Sequence, residues 1–149
     1  MGKVLVYLDN CCFNRPYDDQ SQVRINLETQ AKLYIQKLIV DKKIELVYSY
    51  MSRYENFQNP FKIRKDTIAN FFKNASVYVS EDNADIIQTK ASEIMKTGIK
   101  SKDAIHIACA IFGKADIFLS TDIRLLKYKT DEIKLINPTA FLSEMEEIL

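Results

Sequence analysis

The chain has 149 residues, 47% of them hydrophobic and 28% charged, with a net charge of +1 at neutral pH. That length suits one domain spanning residues 1–149, able to bury about two thirds of the surface an unfolded chain exposes, and the composition excludes disordered and fibrous classes. A charge so close to zero gives no global field toward nucleic acid or membranes, so any polyanion binding must come from a local basic patch.

An apolar run, Lys3–Leu8, predicts a first strand covered on both faces. The polar segment Asn10–Gln22 reads as an interruption before a long helix over Val23–Val40. Its expected apolar stripe is Ile25, Ala31, Leu33, Tyr34, Leu38 and Ile39. A second strand, Ile44–Ser49, leads into a helix that carries Glu55 and ends at Asn59-Pro60. Thr67–Lys73 predicts a short helical piece, and Ser76–Ser80 a third strand. The helix Ala84–Lys96 stops before Gly98, a residue suited to a left-handed cap. Ser101 is the expected N-cap of the next helix, whose apolar face is Ala104, Ile107, Ala108 and Ile111, and Gly113 ends it. A strand at Asp116–Ser120, a short helix at Ile123–Lys127, a strand at Ile133–Ile136 and a helix opened by Asn137-Pro138 complete the order. Strands alternating with helices predict an α/β fold with a mainly parallel sheet.

The three cysteines, Cys11, Cys12 and Cys109, make an odd count with no CxxC pair, so reduced thiols in a cytosol are expected. No charged segment followed by a short apolar one opens the chain, and no apolar run is long enough to span a bilayer. The expected location is the cytoplasm, without membrane association.

Four acids fall where a parallel sheet would gather them. Asp9 ends the first strand, Glu55 rides the helix after the second, Asp103 sits in a helix's first turn, and Asp122 follows the strand Ile117–Ser120. Ligands of open α/β sheets bind outside the carboxyl ends of the strands. Each acid also has a plainer reading. Asp9 can form a turn, Asp103 can complement the helix dipole, and Asp122 can cap a helix. For Glu55 the cap is Ser52, which would draw Glu55 into a capping box, or Ser49, which would leave it free to project. Two carboxylates 4 Å apart repel by about 4 kcal/mol at an effective dielectric of 20. A shared pocket therefore needs a cation, shared protons or wider spacing, and hard Mg²⁺ or Mn²⁺ suits oxygen ligands. His106, three residues after Asp103, shares roughly its face and is expected to be a hydrogen-bonded, partly buried imidazole rather than a ligand. Arg15, Arg53, Lys100, Lys102 and Arg124 supply nearby positive charge. The Lys62–Lys65 run beside Phe57 and Phe61 reads as a basic, aromatic surface or a solvated helix face.

The segments Tyr7-Leu8-Asp9-Asn10, Ser49…Glu55, Lys102–Ala108 and Leu119-Ser120-Thr121-Asp122 resemble, in order and spacing, the four acidic motifs of PIN domains, small metal-dependent nucleases that include VapC-type toxins. Asn14–Gln20 resembles a loop found in one bacterial and archaeal branch. Asn10 departs from the pattern, standing where a hydroxyl residue often follows the first acid. The resemblance implies a three-layer α/β/α sandwich and Mg²⁺ or Mn²⁺ held by Asp9 and Asp103, with Asp122 and Glu55 acting directly or through bound water. It also implies hydrolysis of RNA by all four acids, with Asn10, Arg15, Lys102 and Thr121 as expected nucleic-acid contacts. Single-stranded RNA is favoured, since a shallow pocket reaches splayed strands more easily. An antitoxin protein is an implied partner, and Tyr17, Phe57 and Phe61 suggest a patch for a homodimer.

Two other readings compete. An aspartate ending a first strand is the phospho-acceptor of two phosphotransfer classes. One needs a second aspartate where Cys11 stands, and the other needs acids that Val4–Leu8 lacks. The near-neutral charge favours a PIN-like module that binds RNA or protein without cutting.

Overall fold

Residues 3–146 are described by a computed structural model, so residues 1–2 and 147–149 of the expected domain lie outside it. The strands are β1 (Leu5–Leu8), β2 (Glu45–Ser49), β3 (Val77–Val79), β4 (Ile117–Leu119) and β5 (Lys134–Ile136). The helices are α1 (Asn10–Asn14), α2 (Val23–Val40), α3 (Tyr50–Phe57), α4 (Lys62–Phe71), α5 (Ala84–Met95), α6 (Ser101–Phe112) and α7 (Pro138–Met145). All strand pairs are parallel, in the order β3-β2-β1-β4-β5.

Alternation along each strand divides the core in two. Val6, Leu8, Leu46, Ile117 and Leu119 face α1, α2, α4 and α7. Tyr7, Val47, Val79 and Phe118 face α5 and α6. The Tyr7 and Phe118 rings stack 5.3 Å apart on that second face. The result is the expected α/β architecture, a parallel sheet between helical layers, consistent with a PIN-like three-layer sandwich.

Several local expectations are corrected. Asn10–Gln22 is not all loop: Asp9 caps α1, which buries Cys12 and Phe13, and a 3-10 turn follows at Arg15–Tyr17. The inner face of α2 matches the apolar stripe read from the sequence only in part: Ala31, Leu38 and Ile39 are buried. Leu33 and Tyr34 are half exposed, while Glu28, Thr29, Lys32 and Ile35 are buried. Glu28 can be there because Arg15 and Arg24 both reach its carboxylate, at 2.9 and 3.2 Å, and Asn137 donates to it as well. Lys32 lays its ammonium 5.6 Å over the Phe13 ring, and burial pulls its pKa down to about 8.

The expected piece at Thr67–Lys73 is a full helix that starts earlier, at Lys62, and ends in a 3-10 turn at Phe72–Asn74. Ser101 is the first residue of α6 rather than its cap; Lys100 occupies the cap position without a side-chain bond. Ile123–Lys127 holds only a 3-10 turn, Leu125–Lys127. Gly113 closes α6 with ordinary backbone angles, for a reason of space. A Cβ there would sit 2.8 Å from Val47 Cγ1 and 2.9 Å from Val79 Cγ2. No helix among the described residues is long and apolar enough to cross a membrane.

A candidate active site of four carboxylates

Asp9 follows β1 and remains tied to the sheet, its N–H donating to Leu119 O at 2.9 Å. Its side chain is nearly buried and accepts three bonds. Asn10 N donates to Oδ1 at 2.8 Å, and Ser120 Oγ and Cys11 Sγ reach Oδ2 at 2.9 and 3.4 Å. Ser120, fully buried just past β4, also accepts from Asp122 N at 3.0 Å. One hydroxyl therefore locks two of the acids to a common frame. Asp122 itself is exposed, and its Oδ1 accepts from Arg124 N at 2.9 Å in a local turn; it does not cap a helix, because Arg124 holds the cap position of the short 3-10 turn that follows.

Between the two candidate caps for α3, the structure selects Ser49, in a reciprocal box with Ser52. Glu55 is thereby inside the helix and projects. Its Oε1 meets His106 Nε2 at 2.6 Å, and His106 Nδ1 meets Tyr7 OH at 2.6 Å. Tyr7 OH continues to Ser49 Oγ at 2.7 Å and Ser52 Oγ at 3.1 Å. His106 is thus the hydrogen-bonded imidazole read from the sequence, and it is fully buried. Burial alone would lower its pKa. The bond to Glu55 and the charges of Asp9, Glu55 and Asp103 outweigh that, so its pKa is raised and the protonated form favoured.

Asp103 stands at the third position of α6. Burial, then the charges of Asp9 and Asp122, push its pKa up to about 6, with His106 pulling the other way. Asp9, Glu55, Asp103 and Asp122 line one cleft of about 370 Å³, with Asn10 and Asn14 at its edge. A second cleft, of about 550 Å³, shares Asp103 and Asp122 and adds Arg24, Lys100, Arg124 and Thr121. Carboxylate oxygens thus face a flanking channel of cationic side chains.

Of the four expected nucleic-acid contacts, Asn10 lines the first cleft and Thr121 the second. Arg15 lines neither, because Asp18 and Glu28 hold its guanidinium at 2.9 Å each. Lys102 is exposed on the first turn of α6, outside both. Ser120, Tyr7 and Arg24 were not singled out as site residues in the sequence. Tyr7 did carry a signal: a tyrosine in an otherwise apolar strand needs a partner for its hydroxyl. Arg24, whose guanidinium donates to Thr121 O at 2.7 Å, carried none.

Among the described residues, no three His, Cys, Asp or Glu side chains converge tightly enough to form a closed ion cage. The donors are nonetheless all oxygen, and burial together with the charges of Asp9 and Asp122 raises the pKa of Asp103. Such a set suits a hard divalent cation that keeps part of its water shell, since Mg²⁺ is commonly bound through one or two carboxylates.

No family model and no curated protein matches the sequence. Among solved structures, a chain of VapBC2 from Rickettsia felis, crystallised with a DNA fragment from their promoter, superposes with a TM-score of 0.55 at 13% identity. The match covers 90% of this chain and 98% of that one, and at this identity it shows a shared fold.

Proposed function

We propose that this protein is a divalent-metal-dependent endoribonuclease of PIN type. The observation that carries this reading is the convergence of Asp9, Glu55, Asp103 and Asp122 on one cleft at the carboxyl end of a parallel sheet. Asp9, Asp103 and Asp122 would hold Mg²⁺ or Mn²⁺, which supplies Lewis acidity toward water and phosphate. Ser120 fixes Asp9 and Asp122 in place. His106 occupies Glu55 Oε1 and leaves Oε2 to orient the attacking water and accept its proton. Lys100 and Arg124 suit the phosphates on either side of the scissile bond. The open clefts favour single-stranded RNA.

Likeness to a chain of the VapBC2 assembly supports a toxin role with an antitoxin partner protein. The decisive test compares parent, Asp9→Asn and Asp103→Asn on a fluorescent single-stranded RNA with Mn²⁺. Cleavage is expected only in the parent, with native circular dichroism in all three. Equal cleavage by all three would refute the assignment. A non-cutting RNA- or protein-binding module is the second reading, favoured by the near-neutral net charge of +1. Tight binding without cleavage, in both Mg²⁺ and Mn²⁺, would establish it.

A further inference from the structure

A third cleft, of about 770 Å³, opens on the β2–β3 side of the molecule against α3 and α4. Its wall is a stack of rings. Phe72 lies 4.8 Å from Tyr48, and Tyr48 lies 4.7 Å from Tyr78. The Arg53 guanidinium caps that ladder, 5.6 Å over Tyr78 and bonded to its hydroxyl. Tyr54 and Phe57 add exposed rings on α3, and the Lys65 ammonium lies 4.9 Å over Phe57. Such aromatic area, exposed and interleaved with cations, is more than scattered surface residues provide.

Charge complementarity selects the occupant. Arg53, Lys65 and Lys73 line the cleft, against Asp66 and Glu81. Lys62 neutralises Asp66 at 2.8 Å, which leaves an excess of positive charge. Rings for stacking and cations for phosphate together match a nucleotide of a single strand. Tyr54 and Asn56 flank Glu55 along α3, so the two clefts are lined from the same helix, with no lining residue in common.

We propose that the α3–α4 cleft is a nucleobase subsite, which holds an unpaired base of single-stranded RNA while a neighbouring phosphodiester reaches the carboxylates. The subsite rests on the RNA reading given above, but it is tested by binding rather than cleavage. Fluorescein-labelled decamers of adenylate, cytidylate and uridylate are titrated by anisotropy into protein kept metal-free with EDTA. Arg53 and Tyr54 are exposed, so Arg53→Ala and Tyr54→Ala leave the core intact. Each variant is expected to weaken adenylate binding about tenfold, the scale of one stacked base. Arg53→Ala should also lower the salt slope by about 0.7.

Affinities within twofold of the parent in both variants would overturn the proposal. So would a parent that binds no decamer, or a cleft covered by a second copy of the chain. Sedimentation would reveal that copy as a dimer lost in the variants, with RNA binding unchanged. Parallel cleavage assays in Mn²⁺ separate the two readings. Loss of binding in Arg53→Ala alongside cleavage that survives Asp9→Asn sinks the nuclease and keeps the subsite, and the converse pattern sinks the subsite alone.

Discussion

Replacing Asp103 by Asn should stabilise the metal-free protein, and only above about pH 5. The Asp103 pKa rises from 3.8 to about 6 on folding, driven by burial and by the charges of Asp9 and Asp122. A carboxyl whose folded pKa is raised contributes its stability in full below pH 3.8, and that contribution is lost as the pH climbs through about 6. Two units correspond to about 3 kcal/mol at about 1.36 kcal/mol each. Asp103 is partly open to solvent, which screens the repulsion and roughly halves this figure. Asn also forfeits the favourable interaction of a charge with the start of α6, worth about 0.3–1 kcal/mol.

The net gain for Asp103→Asn is then about 1 kcal/mol at pH 7.5, or about 3 °C in Tm for a chain of this size. At pH 4 it falls to zero or slightly below. Urea titrations followed by circular dichroism at pH 4, 5, 6 and 7.5, in EDTA and low salt, measure both limits. A difference that does not vary with pH, or a variant less stable than the parent at pH 7.5, refutes the argument. It would mean that Asp103 is not crowded by like charge. Asp9→Asn supplies an internal check, because removing one of the repelling charges should lower the Asp103 pKa seen by NMR.

Three other substitutions probe the frame behind the carboxylates. Tyr7→Phe removes a hydroxyl bonded to His106 Nδ1, Ser49 and Ser52 while keeping the stack on Phe118. The stranded buried groups should cost about 1–3 kcal/mol in urea unfolding, and an unchanged midpoint would show that water takes over the hydroxyl's role. Gly113→Ala forces a methyl group against Val47 and Val79, and overpacking of this kind should cost about 1–3 kcal/mol. A neutral result would mean that α6 shifts freely on the sheet. Glu28→Gln removes the charge facing Arg15 and Arg24, and a loss on the order of 3 kcal/mol in a thermal melt is expected. Full retention of Tm would show that the guanidinium groups turn out to water without penalty.

The sequence was informative where a single pattern dominated its neighbourhood. Val23–Val40 is a helix with both ends as expected because a long stretch free of Gly and Pro lies between polar segments. Asn137-Pro138 opens α7 as expected, with Asn137 Oδ1 accepting from Thr139 N at 2.8 Å. What failed was anything set by a distant partner. The buried face of α2 could be read only in part, since Glu28 is admitted by arginines 13 residues before it and four before it, and by Asn137 from another helix. The start of α4 was missed because Phe61 gives it no side-chain cap, so its first turn has no marker. At the site, the order and spacing of four acids were visible, but the choice between Ser49 and Ser52 as cap was not. The structure makes Ser49 the cap and Ser52 its reciprocal partner three residues on, each hydroxyl bonding the other's N–H.

That capping box links local chain chemistry to the cleft. Ser49 and Ser52 start α3, and the same two hydroxyls hold Tyr7, which holds His106, which holds Glu55. On the opposite wall Ser120 holds Asp9 and Asp122. Three of the acids are therefore braced, Asp9 and Glu55 through bonds to their carboxylates and Asp122 through its own N–H, which donates to Ser120 Oγ. The pKa of Asp103 is set instead by burial and by the negative charge of those neighbours. Burial is the larger cause, and neighbours held in place by such a network keep their charge beside Asp103 and add to it.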